Sequence, residues 1–298
     1  MPSLRQIRSK ISSVKGTRRI MSAMKLISAV KLQRAQGLLQ SFRPFSDSFG
    51  EIAKNLARRS DPESHPLLKR PEERKKLHLV FMTSDRGLCG SFNSNLIRKI
   101  ETYITVDAKD YEQIGFRFVG RRGKDHFARR KATTTEIRVE NSYTGINERN
   151  FSNVSKDIAS DLSKEFIRGD SDEVILVYNY FKSALSQVLT FEKLLPIESE
   201  EKTGDAVPVD YLYEPNREDV LKFVLTKYVQ VRLERAILES ITSEHGARMT
   251  AMENATRNAE DVIKKLTLLF NKTRQAIITK ELMDIVNGTE SLRKGGMD

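Results

Sequence analysis

The residues of greatest chemical potential in this sequence lie in two glycine-bearing turns. DRGLCG (Asp85 to Gly90) follows one short apolar run, and GRRGKD (Gly120 to Asp125) follows another. A glycine-rich turn between a strand and a helix can cradle phosphate with backbone N–H groups. That chemistry carries G-x-x-x-x-G-K-[ST] or G-x-G-x-x-G, and neither pattern is present. GRRGKD also ends in Asp125 where a phosphate loop needs a hydroxyl for magnesium. Gly87 and Gly90 therefore read as a strand-to-helix turn requiring positive φ. Asp85 beside Cys89 suggests nucleophilic chemistry, but no histidine is placed in sequence to serve as base, and Cys89 reads as a small packed residue. His65, His78, His126 and His245 are scattered, none at zinc-ligand spacing from the single cysteine. No catalytic constellation, cofactor motif or metal-ligand set emerges from local sequence, although an active site can assemble from residues distant in the chain.

Charge supplies the next constraint. With 51 Lys and Arg against 40 Asp and Glu, the net charge of +11 calls for an acidic partner: nucleic acid, an anionic membrane surface or acidic protein loops. One cysteine excludes an internal disulfide framework and fits a reducing compartment. No run of eighteen apolar residues and no secretory leader pattern is visible, so the sequence reads as a soluble, cytoplasmic-side protein. Few aromatics and no tryptophan fit long solvated helices better than a compact sandwich or barrel.

The longest element expected is a helix from about Asn216 to Leu292. Met252, Ala255, Ala259, Val262, Leu266 and Leu269 step by three and four along one side, a heptad-like seam. A helix of roughly 70 residues is about 100 Å long, whereas the middle of the chain makes a domain with a radius of gyration of about 14 Å. Part of the helix must therefore find another partner. A second long helix is expected over residues 2–58. Leu4, Ile7, Ile11, Val14, Met21 and Met24 trace its seam, continued by Ile27, Val30 and Leu38, and Pro44 is expected to bend or interrupt it near Arg43. Its other faces are basic, and no acid appears before Asp47.

Between the helices, residues 59–76 read as a proline- and charge-rich linker, and residues 77–208 as an α/β domain with a largely parallel sheet. Strands are expected at His78 to Ser84, Gly115 to Val119, Asp172 to Phe181 and Ser186 to Ile197. Helices are expected from about Asn93 to Val106 and Phe151 to Ile167. Glu198 to Pro208 reads as a polar connection, leading to a short strand or turn at Val209 to Tyr213. The predicted architecture is an antiparallel coiled coil of the N-terminal helix (1–58) and the C-terminal helix and tail (209–298), with a central Rossmann-like α/β domain. Ala247, Ala251, Ala255 and Ala259 offer a stripe of small residues for close helix approach.

Three stretches together resemble the gamma subunit of F-type ATP synthase. They are SAMKLISAVKLQRAQ (Ser22 to Gln36), TSDRGLCGSFN (Thr83 to Asn93), and SEHGARMTAMENATRNA (Ser243 to Ala259) with NKTRQAIITKELMDIVNGTES (Asn271 to Ser291). The family's C-terminal signature is matched at Ile278, Thr279, Glu281, Asp284 and Gly288, with Thr289 where alanine is usual. The paired cysteines of the chloroplast regulatory insert are missing. The resemblance implies a non-catalytic central rotor shaft, without cofactor, that couples proton or sodium flow through a membrane c-ring to ATP synthesis or hydrolysis. The paired helices would stand inside a hexamer of alpha and beta subunits, and the α/β domain would meet the epsilon subunit and the c-ring. Acidic beta-subunit loops would answer the basic helix, at the cytoplasmic face of a bacterial-type plasma membrane. The residues implied at the rotor–stator interface are Met24, Lys25, Arg248, Arg274, Gln275, Thr279 and Glu281. Two other readings rest on the residues alone. A coiled-coil protein could bind nucleic acid through the basic helix, with steep salt dependence, although no DNA-reading motif is present. A nucleotide-binding α/β enzyme lacks its phosphate loop.

Overall fold

A computed structural model describes residues 3–71, 73–128, 136–198, 211 and 213–295. In chain order the elements are α1 (Leu4–Arg58), β1 (Lys76–Met82), α2 (Phe92–Val106), β2 (Gln113–Val119), α3 (Arg121–Phe127), β3 (Glu136–Tyr143), α4 (Phe151–Arg168), β4 (Glu173–Phe181), β5 (Gln187–Leu195) and α5 (Arg217–Gly295). The chain divides into two compact units, Met1–Ile27 with Ala251–Asp298, and Ser28–Thr250.

In the first unit α1 and α5 run antiparallel. Arg18 pairs with Glu260 and Lys25 with Glu253, each at 3.3 Å, so seven residues forward on one helix match seven back on the other. The inward residues of α1 are Leu4, Ile7, Ile11, Val14, Arg18, Met21 and Lys25, with Met24 beside them. On α5 they are Met252, Thr256, Ala259, Ile263, Leu266, Phe270 and Thr273, with Ala255 also half-buried. This alternation of four and three corrects the seam expected from sequence. Met252, Ala259 and Leu266 hold their places, but Val262 and Leu269 are each 43% exposed, and Ile263 and Phe270 replace them. A one-residue error turns a side chain by about 100° around a helix. Ile27, Val30 and Leu38 are likewise exposed. The true stripe of α1 keeps its period by passing through Lys25, which a search for apolar residues steps over, and then through the small, buried Ser28.

In the second unit the sheet order is β3-β2-β1-β4-β5, parallel except for β5, which is antiparallel to β4. Strand alternation sends β1 side chains to two cores. Leu77, Leu79 and Phe81 pack with Phe116, Phe118, Phe127, Leu96 and Ile100, the faces of β2, α3 and α2. Val80 and Met82 pack with Ile158 and Leu162 of α4, Leu225 and Ile237 of α5, and Ala53 and Leu56 of α1. The sheet is thus covered on both sides, as a mostly parallel sheet requires.

The structure adds α3 and β3, neither expected from sequence. GRRGKD opens α3 because its surroundings hold it there: Gly123 N–H donates to Thr83 Oγ1 at 2.9 Å, and Phe127 enters the aromatic core. α1 runs through Pro44 without interruption. The adjoining Arg43 is anchored by side-chain hydrogen bonds to α5 and β4, so tertiary contacts hold the helix where a proline alone would end it. Within residues 59–76, Leu67 and Leu68 are buried in the core. The expected polar connection at 198–208 and the strand or turn at 209–213 lie almost wholly outside the described residues.

Candidate functional site

In an open α/β sheet, ligands bind beyond the carboxyl ends of the strands where the strand order reverses. Here that point lies between β1 and β4, so the loop after Met82 and the turn after Phe181 should frame a crevice. The loop is DRGLCG, and its own side chains organise it. Asp85 accepts from the N–H of Arg121 at 3.0 Å and of Gly145 at 2.7 Å, tying three loops together. Asn93, in the first turn of α2, accepts from Ser84 N–H at 2.9 Å and donates to Ser84 Oγ at 2.7 Å and Cys89 Sγ at 3.2 Å. Cys89 is buried in this network, as expected of a packed residue. The positive-φ positions are Leu88 (64°) and Gly90 (60°), which corrects the assignment of Gly87. What Gly87 provides is space: a Cβ there would meet Arg122 Nη2 at 2.8 Å.

α5 occupies the place a ligand would take. Arg248, 9% exposed, donates through Nη2 to the carbonyl oxygens of Arg86 (3.2 Å) and Gly87 (3.3 Å) and pairs through Nη1 with Glu244 at 2.7 Å. Ser243 Oγ donates to Asn179 O at 2.9 Å and Thr250 Oγ1 to Ala184 O at 3.1 Å. Gly246 allows close approach, since a Cβ there would lie 3.1 Å from Ala184 Cα. The space left among Thr83, Asp85, Gly120, Ser240 and Glu244 is about 30 Å³, room for a water molecule or two and not for a nucleotide. That geometry disfavours the nucleotide-enzyme reading. Among the described residues no cluster of three His, Cys, Asp or Glu could hold a metal.

The seven residues singled out from sequence occupy three settings. Met24 and Lys25 are half-buried beside the helix seam, where hydrogen bonding from Lys25 holds the Glu253 carboxyl below its usual range. Arg248 is the clamp on DRGLCG. Arg274, Gln275, Thr279 and Glu281 are exposed on α5. The ion pairs at Arg18 and Lys25 set a register in which Leu4 lies opposite about residue 274, some 30 Å along the axis from the level of Met24. Beyond that level every residue of α5 through Thr289 is exposed, including Ile278, Leu282, Ile285 and Val286. Sequence reading missed the His245–Glu148 pair (3.3 Å) and the Arg43–Glu239 pair (2.7 Å), because partners about a hundred or more residues apart leave no local pattern.

One unit is an α/β sheet whose ligand crevice is closed by its own helix, and the other is an antiparallel helix pair with exposed apolar residues along the end of α5. Together they define the class as an α/β protein with a coiled coil of its terminal helices. A family model described as "ATP synthase" matches residues 3–292. The ATP synthase gamma chain of Anaeromyxobacter sp. (strain Fw109-5) is 42% identical over 296 residues, covering 98% of this chain and 100% of that one. The ATP synthase gamma chain of Bdellovibrio bacteriovorus is 42% identical over 300 residues with the same coverage. Among solved structures, the central stalk/c-ring of Tetrahymena thermophila mitochondrial ATP synthase matches at TM-score 0.60 and 30% identity, covering 79% of this chain and 99% of that one. A chain of the Euglena gracilis mitochondrial OSCP/F1/c-ring assembly shares the fold at TM-score 0.67 and 19% identity, covering 99% and 96%. The chain belongs to the ATP synthase gamma-subunit family.

Proposed function

We propose that this chain is the central rotor shaft of an F-type ATP synthase, coupling proton or sodium flow through a membrane c-ring to ATP synthesis or hydrolysis at an alpha–beta hexamer. The observation that carries this reading is the end-to-end similarity to ATP synthase gamma chains. The exposed apolar end of α5 supports it, because such a surface needs cover from other chains. The shaft itself contributes no catalytic residue. An asymmetric shaft inside three chemically equal sites gives each site different contacts, and only differential contact energy biases a site between open and closed states. Reversing a two-state population takes about 5.5 kcal/mol, within reach of a few charge-assisted contacts of roughly 1.5–3 kcal/mol each. Linkage makes the effect reciprocal: if shaft angle alters nucleotide affinity, nucleotide occupancy biases shaft angle.

Met24, Lys25, Arg248, Arg274, Gln275, Thr279 and Glu281 are the proposed rotor–stator contacts, with acidic beta-subunit loops meeting the basic face of α1. The epsilon subunit and c-ring would engage the α/β part, within residues 77–208. Among the described residues no helix is long and apolar enough to cross a membrane. Attachment through the complex would place the chain peripherally at the cytoplasmic face of a bacterial plasma membrane. Reconstitution with matching alpha and beta subunits tests the proposal by complex mass and ATPase rate. One copy per three alpha–beta pairs, with activity dependent on it, is the expected result. A folded chain that fails to associate would overturn it.

A further inference from the structure

Glu239 is fully buried on α5, and a buried carboxylate is costly unless every lone pair finds a donor. Three donors meet it. Arg43 Nε of α1 reaches Oε1 at 2.8 Å, Arg43 Nη2 reaches Oε2 at 2.7 Å, and the Phe181 N–H at the end of β4 reaches Oε2 at 2.9 Å. Arg43 Nη2 also donates to Phe181 O at 2.7 Å, and its guanidinium lies 4.6 Å over the Tyr180 ring. The bonds to Glu239 hold the Arg43 pKa above its ordinary value, against burial, which lowers it. One ion pair thereby joins α1, α5 and the carboxyl end of β4, at the reversal point where related folds hold a ligand. One turn along, Arg235 of α5 pairs with Asp47 of α1.

We propose that the Arg43–Glu239–Phe181 joint is the torsional rivet of the shaft, transmitting torque between the α/β domain and the two helices. This deepens the rotor reading and rests on it. Apolar packing is non-directional and tolerates sliding, whereas a bidentate guanidinium–carboxylate pair fixes both distance and angle. The rivet also sits where α1 needs it: Pro44 has no N–H to give the carbonyl one turn back, so α1 lacks a backbone hydrogen bond beside Arg43. Both residues act by positioning and touch no reacting group.

The test uses the membrane-reconstituted holoenzyme carrying the full-length chain with Glu239→Gln, which keeps shape and removes charge, or Arg43→Lys, which keeps charge and removes the fork. ATP hydrolysis should stay within about twofold of wild type. Ions pumped per ATP should fall at least threefold in E239Q and less in R43K. The angular fluctuation of a probe fixed to the α/β domain, with the hexamer immobilised, should widen at least twofold in E239Q. A role confined to folding would lower yield and Tm, leaving pumping ratio and fluctuation in assembled complexes unchanged, and that result overturns the rivet. If E239Q fails to assemble, wild-type stiffness in R43K overturns it equally. A wild-type chain that supports no chain-dependent ATPase strikes the rotor reading first and takes the rivet with it.

Discussion

Charge reversal at Arg248 and at Arg274 should separate two kinds of contact that sequence places in one class. Arg248 is almost wholly buried, donates to two carbonyl oxygens of the DRGLCG loop at 3.2–3.4 Å and pairs with Glu244 at 2.7 Å. Arg248→Glu removes these donors, strips the Gly87 carbonyl of them while Arg86 O keeps Ser84 Oγ at 2.6 Å, and puts like charges four residues apart on one helix. The bonds are long, so the low end of about 1.5–3 kcal/mol applies to the charge-assisted set, with about 1–3 kcal/mol more for the stranded Gly87 acceptor. A total of about 3 kcal/mol lowers Tm by roughly 6–12 °C in a domain of this size. Arg274 is exposed on α5 at about the level of Leu4, and Arg274→Glu should move Tm by less than about 2 °C. Thermal unfolding of the purified chain, followed by circular dichroism, reads the first effect. ATP-driven ion pumping by the reconstituted complex reads the second, where R274E should lose coupling with folding intact. An unchanged Tm for R248E would refute the clamp, and normal pumping in R274E would refute its proposed stator contact.

Three further outcomes follow from particular atoms. Ile263→Asp should destabilise the helix pair by about 2 kcal/mol while Val262→Asp is nearly silent, because only Ile263 faces the seam; equal melting curves for the two would contradict the register. Burial, and then the nearby Arg117 charge, push the His78 pKa down to about 3. The unfolded chain takes a proton there near pH 6.5 and the folded one does not, so stability falls by about 1.4 kcal/mol per pH unit below 6.5, or about 2 kcal/mol at pH 5. His78→Gln should flatten that slope in urea titrations across pH 4.5 to 7, and an unchanged slope would exclude His78 as its source. Gly120 has φ of +100°, and a Cβ there would lie 1.9 Å from Thr83 O, whereas Gly145 (φ +73°) has open space. Gly120→Ala should cost roughly 3–5 kcal/mol against about 1–2 for Gly145→Ala, and similar urea midpoints would show that the backbone gives way.

Local pattern determined much of this protein. The apolar runs at His78 to Ser84 and Asp172 to Phe181 read as buried strands and correspond to β1 and β4, the three-and-four spacing from Leu4 onward required a long helix with a partnered face, and the motif residues carried the family. Where a rule uses only hydrophobicity, it drifts: it picks Val262 over Ile263 and steps over Lys25, because a packed helix keeps its period even through polar residues. β3 and α3 escaped because a strand at a sheet edge and a seven-residue helix draw their stability from neighbours and not from their own composition. Tertiary structure alone decided that α5 fills the ligand crevice, that Arg248 is held by the DRGLCG loop and that α1 continues through Pro44. Each depends on groups brought together from distant parts of the chain, Arg43 with Glu239 or Gly87 with Arg248. A contact energy between such groups exists only once the chain has folded.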